Sequence, residues 1–303
     1  MGFGKGFEEL KSEKMLSVVV PTFNAGKYIH ETLDSILGQT MNDFEVLVQD
    51  NCSGDDTLPK IESFKDARIS IESKNDAGYI DAFSKAFERS TGKYIIQCCA
   101  SDGFIDKNWF KSATDALEAN PHISLVWGFP IYMDAEGKLG NLSYSWFRYF
   151  IPKPREYLYY WLNFGLHLPE GNFVVRREVI QNYFPLIQNI PFSDLEFDGF
   201  FEFMVNFFRH GLLAMNIRVT ANYGRQHPNS LTQADTESFR AEHRFALYQS
   251  QRSSIVNSLR KYTKFEPTIA SLRQEERFSS IFFYYIKVKW SLIHFISRSR
   301  PFA

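Results

Sequence analysis

Polar side chains follow four runs of apolar residues in the first half of the chain. They form four short clusters: Pro21, Thr22, Phe23 and Asn24; Asp50 and Asn51; Asn75 and Asp76; and Ser101 and Asp102. If the runs are parallel strands, these clusters meet at one edge of the sheet, where ligands bind. Taken singly, Asp50 or Asp102 is explained as well by capping a turn. Together, the four clusters predict one binding site.

The type of ligand follows from what the clusters lack. The chain contains no GxxxxGK[ST] loop and no GxGxxG after a strand, so no glycine-rich loop is expected to hold phosphates. A diphosphate bound without such a loop usually needs Mg²⁺ or Mn²⁺, and these cations prefer carboxylate ligands. Asp102, beside Gly103, is the best-placed ligand.

Alternating strands and helices are expected to position the clusters. The predicted strands are residues 16–20, 44–48, 69–71, 94–99 and 124–133. The predicted helices are a first one capped by Asn24 and ending near Leu37, then residues 57–64, a third around Ala82 that closes at Gly92, and residues 109–119. This order predicts an α/β fold with a doubly wound, mostly parallel sheet flanked by helices.

The regular alternation ends after about Gly137. Residues 144–164 are rich in aromatic side chains, which core packing explains better than sugar binding. Residues 171–175 and 213–223 resemble strands, residues 198–211 a helix, and the chain from about 236 is helical.

Composition and charge argue against several classes of protein. A formal net charge of -1 gives no field that would favour nucleic acid. Three cysteines without a CxxC spacing fit a reducing compartment, and we expect a cytoplasmic location. No apolar run is long enough to span a bilayer.

Six segments together resemble one known family. They are VVVPTFN (18–24), SILGQT (35–40), FEVLVQDNCSGDDT (44–57), GYIDA (78–82), GKYI (92–95) and RQHPNSLT (225–232). In this order, over roughly residues 15–235, they look like family 2 glycosyltransferases.

The resemblance implies a GT-A fold, an inverting mechanism and a divalent cation. It puts Thr22 and Phe23 beside the nucleotide base, Asp50 and Asn51 on the base and ribose, and Asp102 in the metal-binding place of an Asp-x-Asp motif. The residues assigned to the nucleotide-sugar site are Pro21, Thr22, Phe23, Asn24, Asp50, Asn51, Asn75, Gly78, Asp81, Ser101 and Asp102.

The acidic motif departs from the family pattern. Its first acid would fall at Ala100 or Cys99, and Asn51 stands where Asp is common. His227 is a candidate for a second metal ligand, and a surface loop histidine beside Pro228 is the alternative.

Inverting transfer also needs a carboxylate that takes the acceptor proton. The resemblance puts this base at the start of a helix, in the segment SDLEFDG (193–199). Asp198 is the first candidate, Glu196 the second and Asp194 the third, and the alternative is that they stabilise a helix N-terminus. Gly171 and Asn172 resemble the segment that binds the acceptor, or else form a turn into a strand.

The last residues are basic and aromatic. Residues 277–303 contain Lys287, Lys289, Arg298 and Arg300 and no acid. Such a helix suits an anionic membrane surface, and docking on the catalytic domain is an equal alternative.

We therefore expect a metal-dependent enzyme that transfers a sugar to a saccharide or lipid-linked acceptor at the inner face of the membrane. The expected donor is a nucleotide-diphosphate sugar, with UDP-sugar as the first candidate. The expected organisation is an arm (1–15), a catalytic domain (16–235) with donor (16–135) and acceptor (136–235) halves, and a helical extension (236–303). Two alternatives stay open, namely a sugar-nucleotide binder without turnover and a nucleotidyltransferase. The latter usually carries a glycine-rich loop after its first strand, which is missing here.

Overall fold

The computed structural model describes residues 14–142, 168–184 and 210–228, together with positions 200, 203, 204, 206 and 207. Its strands are β1 (Leu16–Thr22), β2 (Phe44–Asp50), β3 (Ile69–Ser73), β4 (Tyr94–Gln97), β5 (Gly103–Phe104), β6 (Leu125–Met133), β7 (Leu139–Leu142), β8 (Val174–Arg176) and β9 (Ala214–Arg225). Its helices are α1 (Ile29–Leu37), α2 (Thr57–Glu62), α3 (Tyr79–Arg89), α4 (Trp109–Ala119) and α5 (Arg177–Tyr183).

These strands form one sheet in the order β3-β2-β1-β4-β8-β6-β9-β5, with β7 paired to β6. The first four strands are parallel to one another, as predicted. Every residue of β1 is buried, which fits its mostly apolar sequence. Thr22 pairs with Asp50, so β1 and β2 end level with each other. The polar residues that follow them are thereby brought side by side.

The sheet becomes mixed beyond β4. Strand β8 lies antiparallel between β4 and β6, and β9 runs parallel to β6 and antiparallel to β5. The sequence did not reveal β5 and β7, because two or four residues are too few to show a periodic pattern. The helices and the mixed sheet together make the α/β architecture that the sequence predicts.

The start of α1 differs from the prediction. Asn24 is not its N-cap, since the helix begins at Ile29 and Asn24 has a left-handed φ of 45°. The Asn24 side-chain oxygen instead accepts a hydrogen bond from the Gly54 N–H at 2.9 Å. The prediction was wrong because a loop thirty residues away competes for this side chain.

One core joins the central strands to α1 and α4. Phe110 of α4 lies edge-on to Phe44 and Phe104, with ring centroids 5.4 and 4.9 Å apart. Burial of each such side chain contributes roughly 1.5–3 kcal/mol to stability. Helix α3 packs on β1 and β2 as well. The strand ends are therefore held by a rigid base.

Several predictions lie outside the described residues. These are the arm up to position 13, the aromatic stretch 144–164, the acids Asp194, Glu196 and Asp198, and the extension 236–303. The predicted helix 198–211 is described in part, and Phe203 and Phe207 within it are helical and fully buried. No helix among the described residues has both the length and the apolar character that a bilayer crossing requires.

Candidate active site

The loops after β1 and β2 form one hydrogen-bonded unit. The Asn24 N–H donates to the Ser53 hydroxyl at 2.8 Å, and the Asn24 amide oxygen accepts from Gly54 in return. Pro21 and Thr22 are buried in β1, whereas the Phe23 side chain is 60% exposed. An exposed aromatic ring on a fixed loop offers an apolar surface for a flat ligand.

Asp50 lies beneath this unit. It is fully buried, and its carboxylate accepts hydrogen bonds from the Ser53 N–H at 3.0 Å, the Ser73 hydroxyl at 2.6 Å and the Ser53 hydroxyl. Cys52, inside this turn, has a left-handed φ of 51°. Asp50 therefore holds the turn after β2 in shape, and its contact with a nucleotide remains a prediction.

Asn51 connects three strand ends. Its N–H donates to the Thr22 carbonyl at 2.9 Å, and its side-chain oxygen accepts from the Asp76 N–H at 2.9 Å. The predicted meeting of the first three clusters at one edge is thus confirmed.

The loop from β3 to α3 completes this edge. Gly78 has a φ of 112°, which side chains rarely adopt, and it is the residue before α3. Asp81 accepts the Ala77 N–H at 2.8 Å and pairs with Lys85 at 2.7 Å. Asn75 is exposed, and its carbonyl accepts from Lys85. Asp81 thus stabilises the start of α3, and the assignment of these residues to the donor site stays a prediction.

Asp102 lies in the turn between β4 and β5, next to Ser101. Its carbonyl accepts the Thr32 hydroxyl of α1 at 2.6 Å, and its Oδ1 accepts the Arg225 N–H at 2.9 Å. Burial raises the pKa of Asp102 to about 6, against the opposing effects of the Arg225 hydrogen bond and charge. A Cβ on Gly103 would collide with the hydroxyls of Tyr223 and Ser35, so the turn requires glycine there.

The Arg225 side chain makes further contacts with residues near this carboxylate. Its guanidinium is buried, donates to the Ser101 carbonyl at 3.2 Å and the Asp134 carbonyl at 3.4 Å, and pairs with Glu31. It also lies 4.7 Å from the ring centroid of Tyr28. Arg225 therefore joins β9 to α1 and to two turns beside Asp102.

His227, the second predicted metal ligand, also lies against the ring of Tyr28. The two ring centroids are 4.9 Å apart. Burial, with smaller effects of the Arg225 and Lys27 charges, lowers the pKa of His227, so the imidazole stays neutral near pH 7. Within the described residues no contact joins His227 to Asp102, and its role as a ligand stays a prediction.

Gly171 and Asn172 differ in their positions. A Cβ on Gly171 would lie 3.8 Å from the Asp102 Oδ2, so this glycine borders the carboxylate. Asn172 is fully buried and donates to the Gly128 carbonyl and the Asn222 amide oxygen, both at 2.8 Å. Asn172 therefore holds the segment around Gly171 in place through these hydrogen bonds. Because its side chain is fully buried, it could contact an acceptor only if this segment moved.

The described residues offer few ligands for a cation. Among them, no group of three or more His, Cys, Asp or Glu side chains could hold a metal ion. Asp102 offers one carboxylate, and one of its oxygens already accepts an N–H. Mg²⁺ is often bound by one or two carboxylates together with phosphate oxygens of the substrate. This donor set therefore suits a cation that arrives with a diphosphate rather than a resident metal.

The sequence analysis overlooked three contributors to this site. Arg225 and Tyr79 were noticed only as parts of motifs, and Glu31 not at all. Tyr79, whose pKa burial raises, hydrogen-bonds the Cys99 thiol close to Asp102. The contacts of Arg225 with Glu31 and Asp102 span 194 and 123 residues, so no local pattern could have revealed them.

In a mixed α/β sheet, ligands bind at the carboxyl ends of the strands, where the polar side chains of this chain converge. The family model for glycosyl transferase family 2 matches residues 17–184, which is more than half of the 303 residues. The chain belongs to this family.

Curated relatives agree over their aligned parts. The chain is 30% identical over 139 residues to chondroitin synthase of Escherichia coli, covering 45% of this chain and 20% of that protein. It is 34% identical over 107 residues to the poly(ribitol-phosphate) beta-N-acetylglucosaminyltransferase TarS of Staphylococcus aureus, covering 34% of this chain and 18% of TarS. The chain therefore matches only a fraction of the length of either relative.

Solved structures share the fold. The structure of S. aureus TarS 1–349 in complex with UDP has a TM-score of 0.51 and 16% identity, covering 82% of this chain and 73% of that one. The mannosyltransferase PcManGT of Pyrobaculum calidifontis, in complex with GDP-Man and Mn²⁺, has a TM-score of 0.51 and 17% identity, covering 88% and 70%. The predicted GT-A fold is confirmed.

Proposed function

We propose that the chain transfers a sugar from a nucleotide-diphosphate donor to a hydroxyl of a saccharide or lipid-linked acceptor. The first candidate for the donor is a UDP-sugar, and the transfer would invert the configuration at the anomeric carbon. Family membership supports sugar transfer as the reaction. The observation that carries the proposal is the meeting of the strand ends at one edge, with Asn51 bonded to both Thr22 and Asp76.

The donor would lie along this edge. Phe23 offers an exposed ring to the base, and the loops after β2 and β3 border it. The diphosphate end of the donor would lie beside Asp102 and Gly171. A glycine at position 171 has no side chain and so leaves room for the diphosphate next to the carboxylate. Asp50 and Asn172, both fully buried, would act by holding these loops.

Asp102 would hold Mg²⁺ or Mn²⁺ together with the diphosphate oxygens. When bound, such a cation offsets the negative charge that develops on the leaving diphosphate. Arg225 would keep the carboxylate in place through its backbone N–H, and its nearby charge favours the ionised form that binds a cation. His227 would add an imidazole ligand if the loop carrying it moved.

Inversion requires a base on the face of the sugar opposite the leaving group. We propose Asp198 as this base and Glu196 as its alternative. The carboxylate would accept the proton of the acceptor hydroxyl while that oxygen bonds to the anomeric carbon and the bond to the diphosphate breaks. The diphosphate leaves with the electron pair.

The acceptor and location extend the proposal. A lipid-linked saccharide in surface polysaccharide or glycoconjugate synthesis would bring the chain to the cytoplasmic face of the membrane. The basic, aromatic residues 277–303 support this choice. If deleting them leaves the fraction that partitions onto anionic vesicles unchanged, this part is wrong.

Donor hydrolysis tests the catalytic claim. Release of nucleoside diphosphate from a panel of UDP- and GDP-sugars with Mn²⁺ should occur in wild type and be lost in Asp102→Ala and Asp198→Asn. The matched control is Asp115→Asn, an exposed acid on α4 paired with Lys111, which should behave as wild type.

A binder without turnover is the second candidate. The observation that favours it is that Asp102 is the one carboxylate proposed to hold the cation, while the described residues contain no group of three or more His, Cys, Asp or Glu side chains that could hold a metal ion. Wild type that binds UDP calorimetrically, but releases diphosphate from no donor and transfers to no acceptor, would support this candidate and contradict the enzyme.

A further inference from the structure

Arg225 places a buried positive charge beside Asp102. The Arg225 side chain is only 2% exposed, and its guanidinium donates to the carbonyl of Ser101, the residue before Asp102, at 3.2 Å. The Arg225 N–H donates to the Asp102 Oδ1 at 2.9 Å, so residue 225 contacts this turn through its backbone as well. A charge that water hardly reaches is weakly screened and acts strongly on the groups near it.

This charge has two opposite effects on the proposed cation site. Burial raises the pKa of Asp102, and the hydrogen bond and charge of Arg225 oppose that rise, which favours the ionised carboxylate. The same positive charge repels a cation at Asp102, and a guanidinium that turned towards the carboxylate would compete for its oxygens. Cation binding at Asp102 therefore benefits from a group that offsets the Arg225 charge.

Glu31 of α1 supplies the opposite charge. Its carboxylate pairs with the Arg225 Nη2, and among the described residues it is the one carboxylate in an ion pair with this guanidinium. The Glu31 side chain is 58% exposed, so it reaches Arg225 from the solvent side. Tyr28, three residues earlier, places its ring centroid 4.7 Å from the guanidinium. Two side chains thus direct the guanidinium towards α1, and only the Arg225 backbone bonds to the Asp102 carboxylate.

We propose that Glu31 is a positioning residue for the cation site: by pairing with Arg225 it offsets the buried charge and keeps the guanidinium away from the Asp102 carboxylate, which can then bind a divalent cation together with the donor diphosphate. This inference rests on the proposed function, since it concerns the cation of the same donor. Glu31 acts through Arg225, because no contact in the described part of the chain joins Glu31 to Asp102.

Three variants separate the charge of Glu31 from its structural contact. Glu31→Gln keeps an oxygen that accepts from the Arg225 Nη2 and removes the negative charge. Arg225→Met keeps the backbone N–H that Asp102 accepts and removes the positive charge. The double variant is balanced in charge without an ion pair. The matched control is Asp34→Asn, which also removes one negative charge from α1, at an exposed side chain that pairs with His30.

Calorimetric titration of the full chain with UDP, or with GDP if UDP does not bind, tests this role without turnover. The titration is repeated over a series of Mn²⁺ concentrations at pH 8, where Asp102 is ionised. The Mn²⁺ concentration that gives half of the gain in nucleotide affinity should be at least about threefold higher in Glu31→Gln than in wild type, because an unpaired positive charge repels a divalent cation. Arg225→Met should lower this concentration, and the double variant should return it to within about twofold of wild type. Asp34→Asn should match wild type.

Binding without Mn²⁺ separates this role from a structural one. In EDTA, Glu31→Gln should bind the nucleotide at least as tightly as wild type, because the unpaired guanidinium attracts the diphosphate. A loss of structure would instead weaken nucleotide binding equally with and without the cation.

Two results would overturn the role of Glu31, namely a Mn²⁺ requirement in Glu31→Gln equal to that of Asp34→Asn, or nucleotide binding weakened equally with and without Mn²⁺. If one single variant fails to fold by circular dichroism, the other carries the test, since its expected shift has the opposite sign. Wild type that binds neither nucleotide contradicts the proposed function as well. Nucleotide binding that depends on Mn²⁺ in wild type and identically in every variant contradicts only the role of Glu31.

Discussion

The ends of β2 and β4 carry the same kind of residue and use it differently. Asp50 at the end of β2 is fully buried and accepts bonds from Ser53 and Ser73. Asp102 after β4 accepts one backbone N–H, from Arg225, and keeps Oδ2 towards Gly171. Both acids follow an apolar strand, and the sequence patterns alone do not separate them.

The difference lies in what surrounds each carboxylate. Hydroxyl and N–H donors stabilise Asp50 within the protein, so its charge serves the fold. Asp102 is partly buried and its carboxylate accepts one N–H, and this burial raises its pKa to about 6. A carboxylate kept at a cost to stability is a candidate for function.

The largest expected effect is on turnover at Asp102. Asp102→Asn should lower donor hydrolysis at least about 100-fold, equal to about 2.7 kcal/mol, because the amide cannot bind a cation as a carboxylate does. Steady-state kinetics with Mn²⁺ measures this loss. Near-normal turnover would mean that Asp102 does not hold the cation and that its role is structural.

The same variant should change how stability depends on pH. A raised folded-state pKa means that wild type loses stability as pH rises from the ordinary value, 3.8, through about 6, where the buried carboxyl ionises. Asp102→Asn lacks this loss, so its melting temperature relative to wild type should be higher at pH 8 than at pH 4. Thermal unfolding in EDTA at both pH values provides the measurement, and a constant difference would contradict the pKa shift.

A substitution of Asp50 should affect the stability of the fold more than turnover. Asp50→Ala should lower the free energy of unfolding by about 2 kcal/mol, because the fully buried carboxylate fixes the Ser53 turn and the Ser73 hydroxyl and its removal leaves these hydrogen bonds unmade. Denaturant unfolding measures the change, with Asp115→Ala as a surface control expected to stay within about 0.5 kcal/mol of wild type. A stable Asp50→Ala variant that no longer binds UDP would reverse the roles.

A smaller effect is expected from the cation alone. Since one carboxylate is a weak site, Mn²⁺ without nucleotide should hardly change the melting temperature. Mn²⁺ with UDP at about ten times its Kd should add about 1.4 kcal/mol of stability. Thermal shift measurements with each component and with both test this, and equal stabilisation by Mn²⁺ alone would indicate a preformed metal site.

Local patterns were enough for most of the elements. Helix α4 begins and ends where its apolar spacing predicts, and the apolar run of β1 identifies a buried parallel strand. The N-cap prediction for Asn24 failed because Gly54 competes for its side chain. The two-residue β5 depends on its pairing with β9, about 120 residues later, and has no local signal.

By itself the sequence determined the family, the α/β layering and the order of the polar clusters, because apolar periodicity and short motifs are local properties. Only the tertiary structure decided which carboxylates are fully hydrogen-bonded within the protein and which keep an oxygen available to a ligand. Asp50 and Asp102 differ in the donors that distant segments bring to them, Ser73 and Arg225. Hydrogen bonding and desolvation depend on those neighbours in space, which residue order does not specify.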